Sequence, residues 1–141
     1  MKTRPLRAVA LLLVLATVAG CRPAPSATPH TGAEEAVRDY YDAIRRRDWA
    51  RAYELLHPDA RVRWTADGFV RLAEKYRRQL GFEPEEVYVR SCEEQGEEAK
   101  AHVVLKGQKG GKQVFFKEAA ELRRSGSGWG VVPPQQFGRP R

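Results

Sequence analysis

Glu118 is the acidic residue that breaks its surroundings. In the stretch QVFFKEAAELRRS, residues 113–125, Val114, Phe116, Ala120 and Leu122 recur with a period of two. That is the spacing of one face of a β-strand, and Glu118 falls on the same face. A lone buried carboxylate is costly unless it is paired, and burial raises its pKa, which is the making of a general acid or base. Arg63 and Arg90 are the candidate partners. The competing readings are an open sheet end, a bulge, or a helix over KEAAELRR with Glu118 in water; the rarity of buried glutamates favours these. Turn-forming glycines on both sides of 113–124 select the strand.

Other groups with chemical potential read more quietly. His57, in LHPD, is placed at a solvent-facing helix end, where an imidazole suits the dipole. His102 falls on the polar phase of its strand, and Asp39 and Asp42 lie at the border of an apolar stripe. Tyr40, Tyr41, Trp64, Tyr76 and Phe116 could line an apolar pocket with Glu118, or simply be core. There is no metal-spaced His/Cys cluster, no glycine-rich phosphate loop and no nucleophile elbow, so neither metal nor cofactor is expected and no residue is assigned a catalytic role. Cys92 reads as a small, half-buried strand residue with no base beside it.

The other cysteine, Cys21, closes a different kind of segment. Lys2, Arg4 and Arg7 precede the apolar run AVALLLVLATVAG, residues 8–20. That run is shorter than the roughly 20 residues of a membrane span, and a basic start, a short apolar stretch and small residues before a cut form an export signal. Val18-Ala19-Gly20-Cys21 resembles the bacterial lipobox. The resemblance implies a diacylglycerol thioether on Cys21, cleavage before it, and often a third acyl chain. Two or more chains hold a protein firmly to a bilayer. Arg22 stands where the familiar inner-membrane retention signal has Asp, so the resemblance points to the outer membrane if the cell has one. Residues 21–32, rich in Pro, Ser, Thr and Ala, read as a linker.

Composition agrees with one soluble domain after that linker. Hydrophobic residues are 42% of the chain, enough for a core. The formal charge of +7 falls to +4 when Lys2, Arg4 and Arg7 leave with the signal, an ordinary surface surplus. Export argues against a nucleic-acid partner; anionic lipid or cell-wall polymer is compatible with the charge.

The elements follow from periodicity. Thr31-Gly-Ala-Glu34 is a capping box for a helix to about Arg47, with Ala33, Ala36, Val37, Tyr40, Tyr41 and Ile44 on one stripe. Asp48 caps a second helix, Trp49 to His57, which Pro58 stops. Arg61 to Trp64 form a short extended bridge. Thr65 or Asp67 caps a third helix that ends at Gly81. Beyond Pro84 the period shifts toward two, giving about four strands in a meander with a loose loop over residues 107–111. The expected fold is α+β: three helices on a curved antiparallel sheet, a domain of residues 33–134, and a C-terminal tail over 135–141.

Tyr40 to Ile44, Asp48 to Leu56, Thr65 to Leu72 and Gly128-Trp129-Gly130-Val131 resemble the nuclear-transport-factor-two-like superfamily of cystatin-like cones, and in particular its small bacterial lipoprotein members. The resemblance implies a sheet that wraps the first helix around a conical pocket. Some relatives, such as ketosteroid isomerase and scytalone dehydratase, are enzymes; others only bind ligands or partners, so fold does not decide function. The favoured expectation is a lipid-anchored, extracytoplasmic, non-catalytic accessory domain that binds a protein, a polymer or a small apolar ligand. The alternatives are a small acid–base enzyme using Glu118 or an Asp–His pair, and a spacer or homodimerising module that buries its outer sheet face.

Overall fold

The computed structural model describes residues 31–139; the leader, Cys21 and most of the linker lie outside the described residues. Four helices precede four strands: α1 Ala33–Arg46, α2 Trp49–Glu54, α3 Pro58–Arg63 and α4 Ala66–Leu80, then β1 Glu83–Gln95, β2 Glu98–Lys109, β3 Lys112–Ser125 and β4 Gly128–Val132. The strands form one antiparallel sheet in the order β1-β2-β3-β4. The α+β class and the meander agree with the sequence; the helix count does not.

The extra helix arises at Pro58. Proline lacks the N–H that a helix start leaves unpaired anyway, so it opens α3 at its first position rather than only stopping α2. The helix before it ends early because Leu55–His57 is drawn onto the edge of β4: Val131 N–H donates to the Leu55 carbonyl at 2.9 Å, and His57 N–H to the Val131 carbonyl at 2.8 Å. Residues 61–63, expected as extended, are therefore helical, and Trp64 takes up the extended turn. Asp48 and Thr65 cap α2 and α4 as expected, accepting from Arg51 N–H and Gly68 N–H, and Gly81 ends α4 at a φ of 71°.

The start of α1 also differs. Gly32 sits at a φ of 105°, and no Thr31–Glu34 box forms. Glu94 from β1 supplies the cap instead, its carboxylate accepting from the backbone N–H groups of Thr31 and Ala33. The Thr31 hydroxyl donates to the same carboxylate at 2.6 Å and accepts from Arg124 and from the Trp129 indole. Glu34, relieved of capping, pairs with Arg38.

Residues 113–124 are strand. The long-range pairing of β3 with β2 overrides the helix propensity of KEAAELRR, and Ala99, Ala101, Val103 and Leu105 face the core opposite Leu122, Ala120, Glu118 and Phe116. The hairpin is tighter than expected, since β2 continues to Lys109 and the turn is Gly110-Gly111. Gly107 lies inside the strand, where a Cβ would sit 2.2 Å from the Glu83 carbonyl. Two register shifts in β1, between Pro84 and Glu86 and between Val89 and Ser91, bend this edge strand.

Between sheet and helices lies one core. It runs from Val37, Tyr40, Ile44 and Leu56 through Phe69 and Ala73 to Val103, Leu105, Leu122 and Val131. Phe137, in the segment expected to be a tail, is buried in it as well.

Candidate functional site

The side chain of Glu118 points toward the helices from the middle of β3, half-buried. Neither expected arginine meets it. Arg63 donates to the Pro133 carbonyl and lies over Trp64, and Arg90 is exposed on the other side of the sheet. Two phenols hold it instead: the hydroxyls of Tyr41 from α1 and Tyr76 from α4 donate to the same oxygen, Oε2, at 2.8 and 2.7 Å. Helix spacing explains the meeting, because each tyrosine lies on the buried stripe of its own helix and the two stripes converge over β3.

The aromatic candidates fall into two groups. Tyr40 and Tyr41 meet edge to face at 5.2 Å, and Tyr76 meets Phe116 in the same manner at 6.3 Å, so these four rings surround Glu118. Trp64 belongs elsewhere, beside Phe69 and Phe137. Phe137 links the groups by stacking on Tyr76 at 4.9 Å. Burial, then the neighbouring Tyr76 and Glu118, push the Tyr41 phenol well above its ordinary pKa; burial and the Glu118 charge do the same to Tyr40. Tyr40 is 1% exposed, and among the described residues its hydroxyl has no hydrogen-bond partner.

This arrangement binds a carboxylate firmly but leaves little for it to do. A hollow of about 430 Å³ does touch Glu118, yet its other polar walls are Arg90, His102 and Lys117, which face outward, on the side of the sheet away from the phenols.

The histidines divide. His102 is exposed as expected. His57 is not a solvent-facing end: its side chain is 12% exposed, Nε2 donates to the Arg124 carbonyl at 3.1 Å, and Nδ1 accepts from Asp59 N–H at 3.2 Å. Those partners place Nε2 as the donor and Nδ1 as the acceptor, with the Asp59 carboxylate 3.5 Å from Nδ1. It starts α3 rather than ending α2. Asp39 and Asp42 pair with Arg51 and Arg45. Cys92 is half-buried, and its thiol is pushed up to about 11 by burial and then by Glu94, Glu34 and Glu35.

Two features escaped the sequence reading. Arg77, 7% exposed, donates from Nη1 to the carbonyls of Ile44 and Arg45 at the end of α1 and from Nη2 to Glu83. Its phase on the α4 stripe, four residues after Ala73, was the available signal. The second is a run without acids: residues 99–117 hold Lys100, Lys106, Lys109, Lys112 and Lys117 and no Asp or Glu. Folded as a hairpin, that run is a basic arm.

No family model matches the chain, and no curated protein matches it. Among solved structures, a SEC-C motif containing protein from Rhodopseudomonas palustris is similar at 18% identity and a TM-score of 0.56, over 73% of this chain and 77% of that one. The likeness is one of fold. A de novo designed protein with a curved β-sheet is similar at 18% identity and a TM-score of 0.45, over 70% of this chain and 92% of the design.

Proposed function

We propose that the chain is a bacterial lipoprotein whose cone-like domain acts outside the cytoplasmic membrane as an accessory module, by binding rather than by catalysis. Its leader ends at Gly20, Cys21 carries the lipid, and the linker joins that anchor to the domain; the outer membrane is its place where the cell has one. The observation that supports binding over catalysis is the state of Glu118. Two phenols saturate one of its oxygens, and the rings that would line a reaction pocket fill the core beside it. A general base needs its proton acceptor within reach of substrate, whereas this carboxylate serves to satisfy two buried hydroxyls. The cone-like description draws on the bent edge strand β1 and on α1 packed along the sheet.

The anchor is tested in cells fed a tagged fatty acid. The wild-type chain takes up label and partitions into detergent. Cys21→Ser abolishes both. Equal labelling of Cys21→Ser overturns acylation at this position.

A further inference from the structure

The arm formed by β2 and β3 has a use that the core does not absorb. Its outer face, with the neighbouring β1, sets Tyr88 of β1 across from Val104 and Phe115 across from Lys106. Phe115 is 56% exposed and Tyr88 40%, while Val104 is buried at 4% although it faces outward. Around them stand Arg90, Lys106 and Lys117, while Lys109 and Lys112, paired beside the Gly110-Gly111 turn, share the helix-side phase of Leu105 and Phe116. Glu86 stands beside Tyr88 and pairs with Lys106, and Glu83 and Glu85 are exposed at the same end of β1. Among the described residues, Arg90 and Lys117 are engaged in no ion pair. On the helix side, Lys109 reaches toward Gly81 at the end of α4, and Arg47 at the end of α1 is paired with Glu83.

We infer that this face is a docking surface for an anionic phospholipid bilayer. Aromatic rings favour the bilayer interface, and lysine stems lie along apolar surface while their ammonium groups reach the headgroups. A cluster of basic side chains beside exposed rings therefore matches lipid phosphates above an acyl boundary better than it matches a soluble polyanion, which would leave Phe115 without purpose. The inference rests on the anchored reading for its geometry. The Thr31 end of the domain is bonded to Glu94 and Trp129, away from the Gly110-Gly111 turn. The ten residue steps from Cys21 to Thr31 reach at most about 35 Å. Helix α1 is about 21 Å long, so the tether is long enough for the domain to lie with its sheet on the bilayer.

The test uses the untethered chain from Arg22 to Arg141, which keeps every element and the whole core. It is floated with vesicles of equal parts phosphatidylglycerol and phosphatidylcholine, or of phosphatidylcholine alone. The expected result is flotation with the anionic vesicles at low salt, release at high salt as screening shortens, and none with phosphatidylcholine. Arg90→Gln/Lys117→Gln, both exposed on this face, should bind on the order of tenfold more weakly. Phe115→Ser should also weaken binding while leaving the circular dichroism unchanged. Equal binding to neutral vesicles, or no effect of the Arg90→Gln/Lys117→Gln variant, overturns the inference. Binding to heparin without vesicle flotation overturns it too and gives the face to an acidic polymer. Because this chain lacks an anchor, the outcome is independent of whether Cys21 is acylated.

Discussion

At the scale of single residues, the molecule places its least comfortable groups against one another. Glu118 alone under a helical layer would be costly, and so would the hydroxyls of Tyr41 and Tyr76; together they satisfy each other. The same neighbourhood dictates an alkaline response. Tyr40 and Tyr41 hold their protons above the ordinary tyrosine range in the folded state, chiefly through burial. The unfolded chain releases those protons near pH 10. Stability is therefore whole below about pH 10 and declines as pH rises from there toward the folded-state values. Spectrophotometric titration should find the exposed phenols ionising reversibly and these two ionising only with loss of tertiary structure. Smooth titration of all five tyrosines without unfolding would contradict the buried network.

Among elements, the join between α2, α3 and β4 decides how the sheet ends. The Leu55–His57 segment occupies the edge of β4 that would otherwise be open. It comes so close that a Cβ on Gly130 would sit 2.5 Å from the His57 Cα. Gly130→Ala is therefore expected to lose about 2–4 kcal/mol in denaturant unfolding, the range of strained or overpacked backbone sites. Gly128→Ala, where the nearest atom is 3.9 Å away, should stay within about 1 kcal/mol. Periodicity made most of the elements readable: the alternation around Ala99–Leu105 and Val114–Leu122 set both strands and put Glu118 on the inner face. Reading stopped where a contact was remote in sequence. The cap of α1 comes from Glu94, more than sixty residues away. The break at Leu55 depends on Val131 of β4, more than seventy residues later. The phenols of Tyr41 and Tyr76 were legible as apolar rings but not as donors, because nothing local in either helix points a hydroxyl at Glu118.

As a whole molecule, the chain closes through its C-terminal segment. The Phe137 ring stacks on Phe69 at 5.9 Å and on Tyr76 at 4.9 Å, and Gly138, at a φ of 67°, passes within reach of the Leu72 backbone. This segment thus seals the end of the core between α4 and the sheet. Phe137→Ala should cost about 3–5 kcal/mol in chemical denaturation, the range for a buried phenylalanine. A cost under 1 kcal/mol would mean that the segment only covers the core without completing it. The outer face has the opposite character, with rings in water and lysines beside them.

The knot of bonds at Thr31 has a mechanical meaning. One side chain there engages Glu94 of β1, Arg124 of β3 and Trp129 of β4, just where the polypeptide enters α1. Tension arriving along the preceding residues would be shared at once among three strands of the sheet, and the helix would be spared from peeling turn by turn. In the anchored protein proposed above, a pull on the front end would enter the domain through the sheet.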